Sequence, residues 1–148
     1  MPLPSLPESA IVLGATADDW RAAVTLAADA LAASGVAKTT YAGEMIRMIE
    51  EHGPYVVIAP GLALAHARPG PDVLGNGMSI ITLQTPVNFG HPYNDPVQVI
   101  LGLAIVSADQ HLAAVAHLAN IFNDSTAIAD LAAATSAAEV QRIMGVLT

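Results

Sequence analysis

The side chains of this sequence best suited to chemistry near neutral pH are five histidines, His52, His66, His91, His111 and His117, in a chain with no cysteine. Without cysteine there is no thiolate nucleophile, disulfide or cysteine-held zinc. Imidazole titrates near neutral pH and, when neutral, is a good nucleophile. It can attack a phosphoryl group and carry it as phosphohistidine. Such a carrier needs positioning and donors for the equatorial oxygens: a second imidazole N–H, backbone amides or an arginine. No metal is needed if the donor delivers the phosphoryl group already activated. No two of the histidines have the i, i+4 spacing of a helical metal site. His66 lies in PGLALAHARPG, residues 60–70, and His111 lies just after the apolar run VQVILGLAIV.

Positioning those two rings falls to the apolar segments around them. YVVIAP (55–60) reads as a buried strand, short, β-branched and bounded by Gly-Pro and Pro-Gly. LALAHA fits a short strand or an extended turn. GMSIITLQTPV (77–87) reads as a strand, VNFGHPYNDPV as a turn-rich loop, and VQVILGLAIV as a central strand, apolar on both faces. Two helices precede these strands. TADDWRAAVTLAADALAASG is expected to be capped by Thr16, to present Trp20, Val24, Ala27 and Leu31 as one stripe, and to end at Gly35. TTYAGEMIRMIEEHG turns Tyr41, Met45, Met48 and Ile49 inward and ends at Gly53. Three helices follow: ADQHLAAVAHLANIFND, STAIADLAAATS and SAAEVQRIMGVL, the last two with Ser125 and Ser136 as expected caps. The expected fold is α/β (α+β): a mixed sheet of about five strands sandwiched between helices in a single domain. Residues 1–7 are proline-rich and read as a flexible terminus, leaving 8–148 as the domain.

Composition narrows the function classes. Over 148 residues, 53% hydrophobic and 12% charged residues exclude a disordered chain. The net charge of −8, from scattered acids, argues against nucleic-acid binding, which needs a basic patch. The longest uncharged apolar run, VILGLAIV at 99–106, is too short to span a bilayer. The start, MPLPSLPESA, has neither the basic nor the apolar region of a secretion signal, so the cytoplasm is expected. There is no G-x-x-x-x-G-K-[ST] loop of a conventional nucleotide-binding kinase.

His52 is placed at a helix C-terminus, where a cation complements the helix dipole. His91 reads as a surface loop residue. His117 is six residues from His111 on one helix, about 240° around the axis, and so on another side. His66 and His111 remain: each follows an apolar strand, and His111 also opens a helix, where free backbone N–H groups favour an anion. If the two strands are parallel neighbours, the rings meet at one sheet edge. Two structural, hydrogen-bonded histidines are the competing reading.

GPYVVIAPGLALAHARPG and PVNFGHPYNDPVQVILGLAIVSADQHLAAVAHLANIFND together resemble the two signatures of the enzyme IIA components of the bacterial phosphoenolpyruvate-dependent sugar phosphotransferase system. The type is that of fructose and mannitol, closest to the ascorbate branch, and the resemblance runs from about residue 8 to the end. It implies a protein-to-protein phosphotransferase without cofactor or metal. His66 would accept the phosphoryl group on the ring nitrogen far from the backbone, and His111 would lie beside it and help hold the group. The donor would be phospho-HPr and the acceptor a cysteine of a cognate enzyme IIB, coupled to the membrane component IIC for uptake of ascorbate or a related pentitol or hexitol. The mannitol branch often has proline before the acceptor, here Ala65, and an arginine in the second helix, where this chain aligns Met48 with Arg47 one position away. Arg68 is the candidate replacement, or else a solvated arginine. Leu62, Leu64 and Ala65 are candidates for an exposed docking rim, or else the leucines are core. Two other functions stay open: a regulatory IIA-like module that signals by its phosphorylation state, and a metal-binding protein using His66, His111 and His91 or Asp95. A homodimer is also left open.

Overall fold

The computed structural model describes residues 3–145. Its sheet has five strands: β1 (Ile11–Ala15), β2 (Val57–Ala59), β3 (Leu62–Ala65), β4 (Gly77–Val87) and β5 (Val97–Ala104), in the order β1-β4-β5-β3-β2. β5 is central, as its two-faced apolar sequence requires. It runs antiparallel to β4 and parallel to β3, and Ala65 pairs with Gly102 at the end of the parallel ladder. The outer pairs are β1 parallel to β4 and β2 antiparallel to β3. The sheet is therefore mixed, as expected.

Helices cover both faces. α1 (Trp20–Ala33) and α2 (Tyr41–His52) lie on one, and α3 (Ala108–Phe122), α4 (Ser125–Ala133) and α5 (Ala137–Met144) on the other. The alternation in LALA becomes intelligible here. Ala63 and Ala65 face Val24, Ala27, Leu31, Tyr41 and Met45, while Leu62 and Leu64 face Leu118, Phe122 and Leu131. The small residues allow close approach on the α1 side. A Cβ added at Gly102 would sit 2.3 Å from Ser79 Oγ and 3.2 Å from the Ala27 carbonyl. Ser79 Oγ itself donates to that carbonyl at 2.8 Å, which ties α1 to the sheet centre.

Several local expectations are corrected. YVVIAP is not a buried strand. Only Val57–Ala59 pair, at the sheet edge, with Ile58 39% exposed, and the strand buried on both faces is LALA. The α1 cap is Asp19, which accepts from Ala22 N at 2.8 Å, rather than Thr16, because the helix starts at Trp20. Trp20 is half-buried under the Arg21 guanidinium. The α4 cap is Asp124, one residue before Ser125, accepting from Thr126 N at 3.0 Å. Ser136 caps α5 and Gly53 ends α2 with φ 81°, both as expected. The described part of the N-terminal segment packs on the domain. Leu6 is fully buried, its carbonyl accepts from Gln141 Nε2 at 3.0 Å, and the Ser5 carbonyl accepts from Met78 N at 3.0 Å.

Candidate active site

Because β3 and β5 are parallel neighbours, the chain leaves both at the same end of the sheet. The parity that turns Leu62 and Leu64 toward the α3 side carries His66 the same way. His111 comes from α3, whose first turn is fixed by Ser107 Oγ accepting from Gln110 N at 3.2 Å. Asn76 ties this turn to the loop before β4. Its Oδ1 accepts from Val106 N at 2.9 Å and its Nδ2 donates to Gln110 Oε1 at 3.2 Å. The ring centroids of His66 and His111 come to 5.1 Å, tilted by 48°.

His66 Nδ1 lies 2.7 Å from the Leu64 carbonyl. A carbonyl can only accept, so Nδ1 carries the proton. In the neutral ring, Nε2 is then the atom with a free lone pair. Burial pushes the His66 pKa below its ordinary value, opposed by the Leu64 hydrogen bond and assisted by His111. Burial also lowers that of His111. Both shifts favour neutral rings, the form a nucleophile requires.

Two tyrosines hold the backbone beside these rings. Tyr41 is buried. Its hydroxyl accepts from Ala67 N at 3.2 Å and donates to the Leu103 carbonyl at 3.0 Å, bridging the ends of β3 and β5. Burial pushes its pKa up to about 12, so it stays a donor. Tyr55 donates to the carbonyl of His66 itself at 2.9 Å, and its ring stands edge-on to the imidazole with centroids 5.4 Å apart. The sequence places Tyr41 in the core and Tyr55 at the start of the expected strand YVVIAP, with no role in the site. Only that position marked Tyr55.

The rings open into a depression of about 550 Å³ lined by Met48, Tyr55, Ala67, Arg68, Pro69, Ala108 and Leu112 as well as His66 and His111. Arg68 is exposed on this wall and makes no ion pair among the described residues. Arg47 points elsewhere, held by Glu44 and Glu51, and Met48 reaches the site in its place. The docking rim assigned to Leu62, Leu64 and Ala65 is corrected. They are 0%, 1% and 0% exposed, because both faces of β3 are covered. The exposed apolar side chain on this wall is instead Leu112, at 71%, and Val106 near the start of α3 is half exposed. Leu112 immediately follows His111 in the first turn of an otherwise amphipathic helix, which is the signal that was available.

The other histidines lie apart. His52 ends α2 beside Glu51, and His117 is exposed on α3. His91 is half-buried, its Nδ1 accepting from Tyr93 N at 3.1 Å and Asn94 N at 3.0 Å. Its loop also binds the start of β3, through Gly61 N to the Asn94 carbonyl at 3.0 Å, so it belongs to the opposite sheet end. The Asp95 carboxylate accepts from the amides of Phe89, Gly90 and His91. No three His, Asp or Glu side chains among the described residues are grouped to hold a metal. A larger depression, about 730 Å³, also lies at that opposite end and carries neither histidine nor charged side chain. No helix among the described residues is long and apolar enough to cross a membrane.

The comparisons with known proteins agree with this geometry. The sequence pattern of the family described as "Phosphoenolpyruvate-dependent sugar phosphotransferase system, EIIA 2" matches residues 5–145. The chain is 38% identical over 133 residues to the ascorbate-specific PTS system EIIA component of Salmonella choleraesuis, covering 89% of this chain and 86% of that one. It is 39% identical over 115 residues to the component of the same name in Escherichia coli K12, covering 77% and 75%. Among solved structures, the mannitol-specific cryptic phosphotransferase enzyme IIA of Escherichia coli superimposes with a TM-score of 0.82 at 29% identity, covering 94% of each chain. With that pattern running through both histidine segments, the chain belongs to the type 2 EIIA family of the sugar phosphotransferase system and is a phosphoryl carrier for sugar uptake.

Proposed function

We propose that His66 is the phosphoryl acceptor and His111 the neighbouring group that helps hold the phosphoryl oxygens. The observation that carries this reading is the 2.7 Å contact of His66 Nδ1 with the Leu64 carbonyl, 5.1 Å from a second imidazole. The Nε2 lone pair attacks phosphorus and forms the N–P bond. The bond from phosphorus to the donor breaks, and its electron pair leaves with the donor. The proton stays on Nδ1, donated to the Leu64 carbonyl. In the second half-reaction a cysteine thiolate of the partner attacks phosphorus and Nε2 takes back its electron pair. Arg68, on the wall of the same depression, supplies positive charge where relatives of the mannitol branch place an arginine on the second helix. The donor is phospho-HPr and the acceptor an enzyme IIB working with a membrane IIC. The relatives at 38% and 39% identity are named ascorbate-specific, which supports an ascorbate-type system; the compartment we propose for it is the cytoplasm.

The test is intact mass after incubation with phosphoenolpyruvate, enzyme I and HPr, with His66→Ala in parallel. An acid-labile gain of one phosphoryl group in the parent protein alone supports the assignment. A gain that survives His66→Ala moves the acceptor elsewhere, and no gain with active donor proteins overturns the reading.

A further inference from the structure

The peptide that carries His66 is held from two sides. On the buried side, Tyr41 Oη accepts from Ala67 N at 3.2 Å. On the open side, Tyr55 Oη donates to the His66 carbonyl at 2.9 Å while its ring meets the imidazole at 87°. Within His66 itself, Nδ1 reaches back to the Leu64 carbonyl at 2.7 Å. A ring turned back on the chain two residues earlier keeps that bond only while its own backbone torsions are fixed. The chain past Ala65 has left the β ladder, so no strand pairing fixes them. The Tyr55 hydroxyl supplies that restraint.

Resting on the reading of His66 as acceptor, we infer that Tyr55 is a positioning residue. By holding the His66 carbonyl, it keeps the imidazole in the Nδ1–H tautomer with Nε2 presented to the depression. Tyr55 also lines that depression, so its ring and its hydroxyl have separable duties: the ring forms wall, and the hydroxyl fixes the acceptor. The bond is at the surface, so losing it should disturb orientation more than folding.

The variant that separates these duties is Tyr55→Phe, with Tyr55→Ala for comparison. Histidine-ring nitrogen NMR of the unphosphorylated protein should find His66 held as the Nδ1–H tautomer in the parent. In Tyr55→Phe it should find a mixture shifted toward Nε2–H, the form an unrestrained histidine side chain prefers. Steady-state transfer from phospho-HPr should show kcat lowered by about threefold to tenfold, the effect of one net hydrogen bond, with KM unchanged. Tyr55→Ala should raise KM as well. An unaltered His66 tautomer with unaltered kcat in Tyr55→Phe overturns the inference, and so does a rise in KM alone, which would make Tyr55 a docking residue. If the parent protein is not phosphorylated on His66, the acceptor reading fails by itself, and the ring spectrum still decides whether Tyr55 orients the imidazole.

Discussion

The imidazoles of His66 and His111 lie 5.1 Å apart because β3 and β5 are parallel and in register, with Ala65 opposite Gly102 at the end of their ladder. One ring sits just past a strand and the other in the first turn of the helix that follows its neighbour. Under the proposed assignment, a phosphoryl group on His66 Nε2 would have a second imidazole within reach and a helix start behind it.

Replacing His111 tests that relationship. His111→Ala should still be phosphorylated on His66, but more slowly by about tenfold to a hundredfold. That is the effect of losing one hydrogen bond to a charged group, about 1.5–3 kcal/mol. Quenched-flow transfer from phospho-HPr, read by intact mass, gives the number. A parent-like rate would make His111 a packing residue only.

The pH dependence follows from the direction of both shifts. Burial lowers the pKa of His66 and His111 below about 6.5, so the unfolded chain binds more protons than the folded one at mildly acidic pH. Their contribution to stability is complete above about pH 6.5 and is lost as pH falls through the folded-state pKa values. Denaturant midpoints should be flat in this respect above that pH and decline below it, with a shallower decline in His66→Gln. Phosphoryl acceptance should weaken over the same acidic range, as His66 becomes protonated. On phosphorylation the new negative charge should raise the His111 pKa, seen as a shift of its ring titration by NMR. A titration unmoved by phosphorylation would separate His111 from the phosphoryl group.

The sheet, the helices and the histidine pair were legible because each rests on local pattern. β4 matches its apolar run from Gly77 to Val87, and the two strand–histidine junctions were visible as composition. What local pattern could not supply was the pairing partner. YVVIAP and LALA are both short and apolar, and only the parallel pairing with β5 makes LALA the inner strand and leaves Ile58 at the edge. The same fact buries Leu62 and Leu64, which the sequence allowed to be either rim or core. Asp19 and Asp124 are the caps of α1 and α4 because they sit beside the helix starts and accept from Ala22 N and Thr126 N. Tyr55 escaped notice because its partner is a backbone carbonyl 11 residues away.

Tyr41→Phe should cost stability. The hydroxyl accepts from Ala67 N and donates to the Leu103 carbonyl in a buried setting, so its loss strands a buried amide at about 1–3 kcal/mol. Urea denaturation measures this. Because the same hydroxyl joins the ends of β3 and β5, transfer through His66 should slow as well. An unchanged midpoint would mean that another group replaces the hydroxyl.

Arg68 and Arg47 make a paired experiment. Arg68 lines the depression without an ion-pair partner among the described residues, whereas Arg47 is committed to Glu44 and Glu51 on the outer face of α2. Arg68→Ala should lower the phosphoryl-transfer rate by about tenfold, the scale of one lost charged hydrogen bond. Arg47→Ala should leave transfer unchanged and stability nearly so, since exposed pairs contribute little. If Arg47→Ala slowed transfer and Arg68→Ala did not, the helix arginine would have kept its role despite its register.

Leu64 and Leu112 separate core from docking surface. Leu64, 1% exposed, packs under α3, so Leu64→Ala should destabilise the fold by about 2–5 kcal/mol. Leu112 is 71% exposed in the turn that carries His111, and it lines the same depression as His66. An approaching protein that reaches His66 must cover it. Leu112→Ser should leave the urea midpoint within about 0.5 kcal/mol of the parent. It should raise KM for phospho-HPr while kcat holds, because an apolar contact made on docking is shared by ground state and transition state. A parent-like KM would move the donor's footprint off this turn of α3, toward the part of the depression lined by Tyr55, Arg68 and Pro69.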